Sequence, residues 1–82
     1  MDRELAVAFG HALRKLRIGA GLTQEELGLR AELQRKHISS LELGQKLPNI
    51  ATVFALARAL GVESHQIMLQ TQQQLREPTI GT

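Results

Sequence analysis

Apolar residues recur along this 82-residue chain at spacings that fit helices and nothing else. Leu5, Phe9, Ala12, Leu13 and Leu16 form one stripe and predict a helix over about 3–19. Gly19 and Gly21 are the stop, because glycine takes the left-handed conformation that closes a helix. A second helix is predicted after Thr23, with Leu27 and Ala31 inward. There Thr23 and Glu26 have the spacing of a capping box. A third spans about 34–42, with Ile38 and Leu41 inward and Gly44 as its stop. Pro48 sets a turn and Asn49 a cap for a fourth helix over 50–60. Its expected inward residues are Ile50, Val53, Phe54, Ala57 and Leu60, with Gly61 as the stop. A fifth helix begins near Ser64 and reaches toward Leu75, before Pro78 forbids its continuation. The predicted fold is all-α, a compact five-helix bundle over residues 1–77, with 78–82 a frayed, flexible tail. No strand signal, internal repeat or low-complexity linker interrupts this reading.

Composition narrows the picture. The chain is 43% hydrophobic but has only two phenylalanines and no other aromatic, so the core must be built of Leu, Ile, Val and Ala. The absence of cysteine excludes disulfides and cysteine-ligated metals and suits a reducing cytoplasm, the expected location. No apolar run approaches the ~20 residues of a membrane span. The N-terminal charges argue against a signal peptide. His11, His37 and His65 lack metal-ligand spacing, and Ser39, Ser40 and Ser64 have no evident His/Asp partners for nucleophilic catalysis. No phosphate-binding glycine loop is present, so neither an enzyme nor a cofactor is expected.

The net charge of +2 is unevenly placed. Residues 14–46 hold a surplus of three positive charges, residues 1–13 carry −1 and residues 47–82 are neutral. The basic segment contains the two short helices and their turn, the arrangement that presents a helix to the DNA major groove. With Ile38 and Leu41 inward, helical geometry turns Lys36, Ser39, Ser40 and Leu43 outward, with Arg35 at the edge and Gln34 at the helix start. Such side chains can pair with base edges, or they can form an ordinary solvated face.

Leu13, Leu16, Arg17, the run Gly21-Leu22-Thr23-Gln24-Glu25-Glu26-Leu27, Ala31, Ile38-Ser39, Leu41-Glu42, Gly44, Pro48, Leu56-Ala57 and Ala59-Leu60-Gly61-Val62 supply a further signal. Together they resemble the lambda repressor/Cro-like helix-turn-helix family, often called XRE. The resemblance covers roughly residues 9–69. It implies a lambda repressor-like DNA-binding domain, with its helix-turn-helix over about 23–43. It assigns base contacts to Gln34, Arg35, Lys36, Ser39 and Ser40, and a DNA phosphate contact to Gln24. Lys46, in the loop after the third helix, is a better candidate phosphate contact than Arg58. His37 matches a position often occupied by tyrosine, with either a phosphate contact or a packing role. Arg17 and Glu42 match a structural ion pair.

Two positions depart from the family pattern. Glu32 stands where the turn usually has glycine, and Leu43 where a polar DNA-facing residue is frequent. Ala51, Ala55 and Ala59, expected on the outer face of the fourth helix, combine with Met68 and Leu75 as a candidate self-association surface. Ala55, Met68 and Leu75 are its expected dimer contacts. The resemblance thus implies a transcriptional regulator of repressor or controller type. Its expected partners are double-stranded DNA, bound at a near-palindromic operator, and a second copy of itself. The alternative is an antitoxin-like subunit whose fold mainly grips a protein partner.

Overall fold

The computed structural model describes residues 1–76. The tail expected over 78–82 lies outside the described residues. Five helices follow one another: α1 (Arg3–Gly19), α2 (Gln24–Ala31), α3 (Arg35–Glu42), α4 (Ile50–Leu60) and α5 (Ser64–Arg76). Among the described residues there is no strand.

Each boundary has a local cause. Asp2 caps α1 by accepting from the Leu5 N–H at 2.9 Å. The Thr23 hydroxyl accepts from Glu26 N–H at 3.0 Å while the Glu26 carboxylate accepts from Thr23 N–H at 2.9 Å, so the capping box is complete. Asn49 caps α4 through the Thr52 N–H at 2.8 Å. Gly61 ends α4 in the left-handed region at φ 74°.

The turn between α2 and α3 closes differently. Glu32 itself adopts the left-handed conformation, φ 59° and ψ 41°, the one positive φ among the described non-glycine residues. The Leu33 N–H donates to Gly28 carbonyl at 2.8 Å and holds this turn shut. A Cβ on Gly28 would lie 2.6 Å from the Leu33 carbonyl oxygen, so the chain can double back so tightly only over glycine.

The core is aliphatic. Leu13, Leu27, Ile38, Leu41, Leu56 and Ile67 are its largest fully buried side chains, with Phe9 beside them. They come from all five helices, so no helix is an appendage. The central α1 packs along α5 and across α3, while α2 rests on α3 and α4. Gly10 allows α1 to approach α3 closely: a Cβ there would lie 2.5 Å from the Leu41 carbonyl oxygen and 2.6 Å from that of Glu42. The C-terminal end of α3 is thus set directly against the backbone of α1.

The exposure of α4 corrects the helical-wheel reading. Ile50 and Phe54 were expected inward, yet they are 75% and 52% exposed. Ala59, expected outward, is buried, and Ala55 is half-buried against the core; Ala51 is exposed as expected. The reason is that α4 is apolar on nearly every side, so periodicity alone does not choose the buried arc. Its single charge, Arg58, marks the solvent side. Phe54 lies one turn before Arg58 and shares that side, while Thr52, Val53, Leu56, Ala57 and Leu60 face the core.

Candidate nucleic-acid interface

With eight residues, α3 is too short to persist alone in water. It is held by what it buries. Ile38 and Leu41 are fully buried, and Glu42 is buried although charged. The outer arc is left free. Gln34 occupies the N-cap position, yet its side chain makes no capping hydrogen bond, so the carboxamide is available to another partner. Gln34, Arg35 and Lys36 are all exposed at this end. No acidic residue lies in the first turn, so two cations sit where the helix dipole is already positive. That end of α3 attracts anions and presents donors suited to guanine O6 and N7 and an amide suited to adenine.

Further along α3 the arc closes. Ser39 and Ser40 are half-buried, and so is His37, while Leu43 is 66% exposed just past the end. Leu43 thus presents an apolar side chain to solvent at this end of the arc. Lys46 is exposed in the following loop, and Arg58 is exposed on α4.

The other end of α3 is braced by charge. Glu42 accepts from Arg17 Nε at 2.6 Å and from Arg17 Nη2 at 3.0 Å, a two-point contact between α1 and α3. The two side chains are only 12% and 4% exposed. The third guanidinium nitrogen, Nη1, donates to the Leu22 carbonyl at 2.8 Å and fixes the loop between α1 and α2. The hydrogen bond that Arg17 donates to Glu42 is the chief cause that raises the Arg17 pKa above its ordinary value, with burial opposing it and Coulomb attraction adding to it. Arg17 is thus a permanent cation.

Gln24 enters the same network, a link that sequence reasoning missed. Its Nε2 donates to Glu42 Oε1 at 3.1 Å, which ties the N-terminus of α2 to the C-terminus of α3. One hydrogen of that amide remains for a partner outside. Contacts across 18 and 25 residues of chain leave no periodic trace in a sequence.

Met68 is 46% exposed and Leu75 41% exposed, both on α5, while Ala55 is half-buried against the core. Met68 lines an apolar groove with Leu5, Phe9, Ile50 and Phe54. Among the described residues, no group of His, Asp and Glu is arranged to hold a metal ion, and no helix is long and apolar enough to cross a membrane.

Two short helices joined by a left-handed turn, the second braced at one end and free at the other, define a helix-turn-helix protein. The family model described as helix-turn-helix matches residues 13–67, and the chain belongs to that family, the XRE-type transcriptional regulators. An HTH-type transcriptional regulator of Sinorhizobium fredii is 39% identical over 62 residues, covering 76% of this chain and 80% of the relative. Among solved structures, the restriction-modification controller protein C.AhdI of Aeromonas hydrophila matches with a TM-score of 0.74 and 35% identity. The match covers 76% of this chain and 94% of C.AhdI. The clp gene regulator ClgR of Corynebacterium glutamicum matches with a TM-score of 0.80 at 28% identity, over 84% of this chain and 90% of ClgR.

Proposed function

We propose that this regulator binds a near-palindromic operator as a homodimer, with α3 lying in the major groove. The observation that carries the reading is the free N-terminal end of α3. Gln34, Arg35 and Lys36 are exposed there without an acidic neighbour in the first turn, on a helix whose far end is locked by Arg17 and Glu42. Gln34, Arg35 and Lys36 are the principal base contacts, with the half-buried Ser39 and Ser40 completing the arc. Gln24, His37 and Lys46 meet phosphates on either side. Gln24 uses the amide hydrogen not committed to Glu42, so its phosphate contact and the brace share one side chain.

An eight-residue helix spans ~12 Å and reads only a few base pairs. Two copies related by a two-fold axis would read two half-sites. A small autoregulated operon in a bacterial cytoplasm is the setting most in keeping with the similarity to controller proteins. Selection of bound fragments from random DNA, followed by footprinting, tests the reading. The expected product is a pair of inverted half-sites with centres about 10–10.5 base pairs apart, or a multiple of that. Recovery of no sequence above background would overturn it in favour of a protein-binding role. Protection of a single half-site by a monomer would overturn the homodimer.

A further inference from the structure

Gln24 opens α2 next to Glu25 and Glu26, and its amide donates to the carboxylate of Glu42. The cation of this network, Arg17, is taken up by Glu42 through two hydrogen bonds. A phosphate meeting the free amide hydrogen of Gln24 therefore finds no unpaired positive charge within the network.

Helix α1 brings a second cation to the same place. Gly10 lies against the carbonyls of Leu41 and Glu42, Val7 against Gly44, and Arg17 against the Glu42 side chain. One stripe of α1 thus runs along the end of α3. At 3.6 residues per turn Arg14 falls within that stripe, ~20° from Val7 and ~40° from Gly10 about the helix axis, one turn before Arg17. Arg14 is exposed, and among the described residues no acid pairs with it. Lys15 is exposed too, but it is turned ~140° from Gly10 and so faces away from α3.

We propose that Arg14 donates to the same DNA phosphate as Gln24 and supplies the positive charge that the pairing of Arg17 with Glu42 withholds. The inference rests on the DNA-binding reading above and adds to it a residue that neither the core nor the brace employs. Arg14 stands one turn, ~5.4 Å along the axis, from Arg17, on the solvent side of the brace. Its planar fork of donors suits two oxygens of one phosphate. A phosphate contact is the same for any base sequence. Arg14 therefore contributes affinity and register, while Gln34, Arg35 and Lys36 contribute preference.

Titration of Arg14→Ala and Lys15→Ala on a selected operator, at several salt concentrations, tests the assignment. Circular dichroism checks that both keep their helix content, as exposed positions should. Arg14→Ala is expected to bind operator and unrelated DNA alike roughly tenfold more weakly, and to reduce the salt slope by about one. Lys15→Ala, the same charge on the neighbouring residue, should stay within about twofold of wild type. Arg14→Lys keeps the charge and should recover most of the slope. Replacing single operator phosphates with uncharged methylphosphonates locates the contact. The replacement whose effect shrinks in Arg14→Ala should be the one whose effect also shrinks in Gln24→Ala. On an operator that wild type binds, equal losses in Arg14→Ala and Lys15→Ala, no loss in either, or two different phosphates for Arg14 and Gln24 overturn the proposal and leave the DNA reading standing. A wild type that binds no DNA overturns both.

Discussion

Arg17 and Glu42 are 25 residues apart in the chain and meet through two hydrogen bonds, of 2.6 and 3.0 Å, between α1 and the last residue of α3. Removing either partner leaves the other charge largely withdrawn from solvent without its counter-ion. Arg17→Ala and Glu42→Ala should each destabilise the fold by about 3 kcal/mol. The double variant should lose less than the sum of the two, because no orphaned charge remains. Denaturant titration of the four proteins measures the coupling. Strict additivity would mean that the contact does not form in solution.

Glu32 should be improved upon by glycine, within limits. A side chain in the left-handed conformation costs about 1–2 kcal/mol. Glycine removes that strain but adds about 0.5–1 kcal/mol of unfolded-state entropy. The first effect is the larger, so Glu32→Gly should raise stability by up to about 1 kcal/mol, visible as a rise in thermal midpoint. A fall in the midpoint would show that the Glu32 side chain contributes more than its backbone strain removes.

Gly10→Ala should act in the opposite direction. The added Cβ would press on carbonyl oxygens of Leu41 and Glu42, backbone atoms that have no rotamer to yield. A cost of about 1–3 kcal/mol is expected, as for other overpacked cores. Because α3 must shift to make room, operator affinity should fall beyond what the lost stability explains. Affinity measured well below the unfolding midpoint separates the two losses.

Arg35→Ala and Lys36→Ala should leave stability within about 0.5 kcal/mol, since both side chains are exposed. Each should weaken binding to a selected operator by about 1–3 kcal/mol and relax preference at one or two base pairs. Lys46→Ala should instead weaken binding evenly across sequences and reduce the salt slope by about one. Titrations at several salt concentrations distinguish these patterns. Unchanged affinity in both α3 variants would remove that helix from the interface.

The parts of the fold that depend on neighbouring residues were readable from the sequence. Thr23 with Glu26, Asn49 before α4 and Gly61 after it are local chemistry, and each stands as expected. Ile38 and Leu41 were readable because the polar residues around them leave one choice of inward face. The direction of α4 was not, because Ile50, Phe54 and the alanines make almost any arc apolar; only Arg58 held the answer. The tie between Gln24 and Glu42 was out of reach for another reason. It depends on where two helices cross, which no single helix records. The outward positions of Gln34, Arg35 and Lys36 were readable once Ile38 and Leu41 fixed the inward face.

The brace at Glu42 divides the labour along eight residues. One end of α3 belongs to the scaffold, through Ile38, Leu41 and Glu42, while at the other end the side chains of Gln34, Arg35 and Lys36 are exposed. Mutations at 34, 35 and 36 can therefore accumulate with little penalty in folding, and under the proposed function target preference would drift faster than architecture. A duplicated copy of such a gene could acquire a new operator in a few substitutions, whereas Ser39 and Ser40, half-enclosed by the core, would change more slowly.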